Sequence, residues 1–68
     1  MVNNGLTVKY STRVNFKVLL SGSLDVSSVK IGGDSYAIDK LGYLFISLDG
    51  NITASFNKDQ WVGITLEV

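Results

Sequence analysis

Proton transfer in this chain would have to run through carboxylates, amines or phenols, because histidine and cysteine are both absent. General acid–base catalysis favours groups that titrate near the working pH, and imidazole is the usual source. Asp34 and Asp39 flank the segment around Tyr36, but a five-residue separation puts them at opposite ends and faces of a strand. Asp34 suits a turn, and Asp39 suits the loop Asp39-Lys40-Leu41-Gly42, where aspartate bonds nearby backbone. Gly32-Gly33 lacks the spacing and the following Lys-Ser/Thr of a phosphate-binding loop. Asn51-Ile52-Thr53 fits the N-glycosylation pattern, yet its place in a tight turn favours a structural role. No catalytic residue, metal-ligand set or cofactor follows, and the expectation is a non-enzymatic protein that works by binding.

Two constellations could carry binding. The first is basic: Lys9, Arg13 and Lys17, with Tyr10 among them. Cations beside an aromatic ring on a β-ribbon can contact phosphates and stack on bases, so nucleic-acid binding is one candidate function. Lysines on an edge strand also block unwanted strand pairing, which is a sufficient structural reason for them. The second constellation is apolar. Tyr43 and Phe45 occupy the face opposite Leu44, Ile46 and Leu48, Leu19 does the same opposite Val18 and Leu20, and Trp61 is out of phase with Val62. If Leu19, Tyr43, Phe45 and Trp61 lie together, they form a protein interface. If curvature or a loop covers them, Tyr43 to Leu48 is instead a central strand buried on both faces.

The elements that must position these residues read with period two, the strand signature. Leu6, Val8 and Tyr10 alternate with polar partners, as do Val14, Phe16, Val18 and Leu20. Ser21-Gly22-Ser23 interrupts, Leu24 and Val26 restart the frame, and a bulge near Ser27-Ser28 would bring in Val29 and Ile31. Tyr36 to Ile38, Leu44 to Leu48, Ile52 to Phe56 and Val62 to Val68 complete the strands. A two-residue Gly33-Asp34 turn would oppose Ile31 to Tyr36 and Val29 to Ile38. A three-residue Ser11-Thr12-Arg13 turn would oppose Val8 to Phe16 and bring Lys9 beside Lys17. For Asp49-Gly50, a two-residue loop sets Ile46 against Thr53, apolar frame on polar. The expected loop is therefore Asp49-Gly50-Asn51, with Asn51 left-handed, aligning Leu48 with Ile52, Ile46 with Ala54 and Leu44 with Phe56.

The 68 residues bound the answer to one small domain. The expected fold is all-β, a five- to seven-stranded, mostly antiparallel barrel or sandwich, with an SH3-like or OB-like partly open barrel most economical. Its core should hold Leu6, Val8, Val14, Phe16, Val18, Val29, Ile31, Tyr36, Ile38, Leu44, Ile46, Leu48, Ile52, Phe56, Val62, Ile64 and Leu66. Without disulfides or metals, a domain this small leans on its core and on self-association. An uncovered apolar edge at Val62 to Val68 would be an aggregation hazard, so it should pair within the barrel or across a dimer. Charge is zero overall but split, with net +3 over residues 1–31 and net −3 over 32–68, which could steer a charged partner or a head-to-tail pairing of subunits.

No apolar run reaches the length that spans a bilayer, and the N-terminus lacks the basic and apolar regions of a secretory signal. A cytoplasmic location without membrane contact is expected, although an excised extracellular module would look alike. The leading functional expectation is a protein–protein interaction module that self-associates, using Tyr43, Phe45 and Trp61. Small phage or mobile-element accessory proteins, inhibitors and assembly components share this general size and character. Nucleic-acid binding through the basic residues is the alternative. A third candidate is an extracellular adhesion or carbohydrate-binding module, with Tyr43 and Trp61 as stacking platforms.

Overall fold

The computed structural model describes residues 5–22 and 27–67. Five strands account for most of them: β1 (Leu6–Leu20), β2 (Ser27–Ile38), β3 (Leu44–Leu48), β4 (Asn51–Phe56) and β5 (Trp61–Glu67). They form one antiparallel sheet in the order β4-β3-β2-β1-β5. The sheet does not close, since β4 and β5 are its two edges. The all-β, barrel-like expectation therefore holds in its open form.

Two expected turns are absent, and their absence makes the fold. β1 runs through Ser11-Thr12-Arg13 as a 15-residue strand, and β2 runs through Gly33-Asp34 as a 12-residue one. They pair with each other along nearly their whole length, Leu6 with Ile38 at one end and Leu20 with Ser27 at the other. Neither Val8–Phe16 nor Ile31–Tyr36 is a pair. Val8 meets Tyr36, and Phe16 meets Ile31. Midway the register shifts, so that residues 10–13 of β1 bulge opposite Asp34. Bulges bend and twist a ribbon locally. Beyond the bend, β2 pairs with β3 through Ser35–Ile38, while β1 pairs with β5 through Asn15–Leu20. One long ribbon thus feeds both halves of the sheet.

Gly33 explains why the bend can be tight. A Cβ there would lie 2.7 Å from the Ser47 carbonyl oxygen and 2.8 Å from Ile46 Cγ2, closer than real side chains come. The glycine pair serves close packing, not chain reversal. The bulge also flips the alternation of β2, so Val29, Ile31, Tyr36 and Ile38 all pack on one core. The fully buried centre is Phe16, Val18, Leu44 and Ile46. Phe16 meets Tyr36 edge-on at 5.4 Å and Tyr10 at 5.8 Å between ring centroids, geometries that aromatic pairs favour.

The β3–β4 turn resolves the frame conflict by another route. Asp49 (φ 54°) and Gly50 (φ 82°) are both left-handed, as a two-residue type I′ turn requires. Asn51 is therefore not the left-handed residue. Leu48 pairs with Asn51 and Ser47 with Ile52, then Thr53 bulges, and the expected pairs Ile46–Ala54 and Leu44–Phe56 resume. Thr53 Oγ1 donates to the Ile46 carbonyl at 3.2 Å, pinning the bulge. This sends Ile52 to the outer face, 63% exposed, and not to the core.

Val62 leaves the expected core for the same reason. Leu19 pairs with Gly63 and Leu20 with Trp61, so Val62 is the extra residue and stands outside. Leu66 faces Phe16 but lies on an edge strand, and Leu6 lies at a strand end, so both stay exposed. Tyr10, Leu20, Ala54 and Trp61 pack inward in their place. Leu24 and Val26 fall outside the described residues, as does Val68. β2 begins at Ser27 in regular register, without a bulge at Ser27-Ser28.

Candidate functional site

The bend redistributes both constellations. Of the basic residues, Lys9 faces Ser35 on one side of the bend and Lys17 faces Lys30 on the other. They do not sit side by side, because the turn that would have joined them is continuous strand. Tyr10 turns inward onto Phe16 and is not an outward stacking surface. Arg13 stays with Lys17: its guanidinium lies over Gly32, where an added Cβ would come within 2.8 Å of a terminal nitrogen. Gly32 is the cross-strand partner of Asn15, two positions from Lys17 on the same face.

Lys30 joins this face and has no place in the sequence-based cluster. Its Nζ pairs with Glu67 Oε1 at 2.8 Å. The hydrogen bond to Lys30, reinforced by the charges of Lys30 and Lys17 and opposed by desolvation, holds the Glu67 carboxyl below its ordinary range. The same bond raises the Lys30 ammonium. Lys30 comes beside Lys17 because Leu20 pairs with Ser27 and Val18 with Val29, and the matching apolar frames of Val18 and Val29 were the signal that could have found it.

The apolar quartet is likewise sorted by its neighbours. Trp61 packs against the core, and its indole Nε1 donates to the Gly42 carbonyl at 2.8 Å. Tyr43 adjoins that contact, and its backbone N–H donates to Asp39 Oδ1 at 2.9 Å. Asp39 also accepts from the Leu41 N–H, so one carboxylate organises the loop. Phe45 points to the outer face between Ala37 and Ser55. Leu19 lies on the outer face beside Ser28 and Gly63, nine β2 positions from the partner of Phe45. Trp61 and Tyr43 are brought together around Gly42, whereas Leu19 and Phe45 sit on different halves of the sheet. β3 is an interior strand between β4 and β2, at least half-buried along its length.

A shallow open cleft lies between the β4–β5 loop and the end of β1, lined by Leu20, Ser21, Ser55, Phe56, Asp59 and Gln60. Ser21 ties its two walls, donating through N–H to the Gln60 carbonyl at 3.1 Å and through its hydroxyl to the Asp59 carbonyl. Gln60 Oε1 in turn accepts from the Asn57 N–H at 2.9 Å, so these bonds hold the loop. Among the described residues no group of three or more acidic side chains is placed to hold a metal ion. No described helix is long and apolar enough to cross a membrane.

The sheet edges are the remaining surface. β4 and β5 contain no lysine, arginine or proline, and Glu67 is their one charge. Ile52 on β4 and Val62 and Leu66 on β5 are exposed. No protein-family model, no curated protein and no solved structure matches the chain.

Proposed function

We propose that this protein is a non-enzymatic protein–protein interaction module that associates with copies of itself. The carrying observation is the β5 edge, where Val62 is 66% and Leu66 42% exposed on a strand without a positive or proline guard. Edge strands in proteins that stay monomeric are normally blunted by charge, proline or cover. The outer face of β3, with Phe45 half-buried and Tyr43 beside it, adds apolar area near the other edge. Trp61 contributes indirectly, by tying β5 to the loop that carries Tyr43.

Light scattering across a dilution series tests this. The unmodified protein should show a concentration-dependent rise in mass. Val62→Lys with Leu66→Lys should return it to a monomer, because both side chains already face solvent. Phe45→Ser should weaken association less. A strict monomer at all concentrations would remove the proposal.

A further inference from the structure

The face that gathers Arg13, Lys17 and Lys30 has a chemistry of its own. Lys17 and Lys30 are directly opposed across β1 and β2, an arrangement that disfavours folding by like-charge repulsion. One row away, Asn15 stands between Gly32 and Glu67. Because Gly32 has no side chain, the Arg13 guanidinium lies down over it and extends the positive strip. Among the described residues, three cations therefore share this face with a single carboxylate, in a chain whose formal charge is zero.

Glu67 shows what the strip accepts. Its carboxylate reaches across β1 to Lys30 at 2.8 Å, and the Lys17 charge acts on it as well. Its side chain is 27% exposed while that of Lys30 is 70% exposed, so the ammonium remains open to another anion. The Arg13 guanidinium over Gly32 lies one row from the Lys17–Lys30 pair, two residues or about 7 Å along the strand, and neighbouring strands lie about 5 Å apart. A charge spacing of about 7 Å matches the rise of roughly two phosphate steps along one nucleic-acid strand. No aromatic ring faces outward beside these cations, since Tyr10 packs on Phe16. Such a surface contacts backbone phosphates and reads no bases.

We propose that Arg13, Lys17 and Lys30 bind the phosphodiester backbone of nucleic acid without sequence preference, and that Glu67 is an internal competitor which the phosphate displaces. This is independent of self-association. It differs from the cluster expected from sequence by including Lys30 and leaving out Lys9 and Tyr10.

The test is anisotropy of a labelled duplex titrated with protein at several salt concentrations. Three phosphate contacts give a log–log salt slope near −2.7, a loss of roughly 40-fold between 50 and 200 mM salt. Lys17→Glu with Lys30→Glu should abolish binding, and Glu67→Gln should tighten it several-fold. Arg13→Ala, which leaves both lysines in place, should lower the slope by about 0.9 and covers the case where the double reversal fails to fold. Lys9→Glu should leave affinity within twofold. Binding that ignores salt, or that falls as far with Lys9→Glu as with the double variant, overturns the assignment. Poly-glutamate competing as well as unlabelled duplex would also overturn it and point to an acidic protein partner.

Discussion

The bend of the β1–β2 ribbon and the rim formed by β4 and β5 follow opposite rules. At the bend, space is so short that Gly33 cannot gain a methyl group without meeting Ser47 and Ile46. At the rim, Ile52, Val62 and Leu66 stand in solvent. The bend confines its polar groups to fixed partners: Asp34 Oδ2 accepts from the Asp49 N–H at 3.3 Å, linking β2 to the β3–β4 turn. At the rim, β4 and β5 each pair with one neighbouring strand among the described residues. Close packing is concentrated where the two long strands fold over, and exposed apolar side chains stand on the strands they carry.

That contrast sets an order of expected effects. Phe16→Ala removes the ring that joins Tyr10 and Tyr36, and should destabilise by about 3–5 kcal/mol, enough to unfold much of a domain this size in a urea titration. Gly33→Ala should cost about 1–3 kcal/mol through overpacking. Gly63→Ala is its foil: the new Cβ would sit 3.4 Å from Leu19 Cδ1, an ordinary contact, so stability should hold or rise by about 0.4–1 kcal/mol. Equal losses at the two glycines would erase the distinction between bend and rim. Trp61→Phe keeps the ring in the core but drops the bond to Gly42, and should cost about 0.5–1.5 kcal/mol in the same titration. Val62→Lys should change monomer stability by less than about 0.5 kcal/mol.

The smallest effect is electrostatic. Glu67 has a depressed folded-state pKa, so its contribution is present above the unfolded value and is lost as pH falls through the folded one. Stability should decline slightly more in acid, below about pH 4, for the unmodified chain than for Glu67→Gln. Thermal melts of the two proteins at pH 6 and pH 3 check this.

Much of the architecture could be read from the residues. Alternation alone marked the chain as all-β, and frame matching aligned Leu44 with Phe56 and Ile46 with Ala54 across a turn of the wrong length. The correct pairs survived because a bulge at Thr53 and a longer loop shift the register equally. Continuity of β1 and β2 was not legible. Gly33-Asp34 carries hairpin chemistry, and both a hairpin and a bent ribbon put Ile31 and Tyr36 on one core. Only the space beneath Gly33, a tertiary property, separates the two. The basic face was half visible: Arg13 and Lys17 belong to it, while Lys9 depended on a turn that does not form. Trp61 stood out by its phase, and the bulge at Val62 is what that phase recorded.

The pairing of β1 with β5 has a consequence for how the molecule assembles in time. β2, β3 and β4 join neighbours close in sequence, whereas Phe16 must find Leu66 across most of the chain. Contacts of such separation form late and slow a β-protein's folding. The single tryptophan sits on that last strand, so its emission follows the arrival of β5. Stopped-flow fluorescence should therefore trail far-ultraviolet circular dichroism during refolding, with the lag measuring how long β1 waits with one side uncovered.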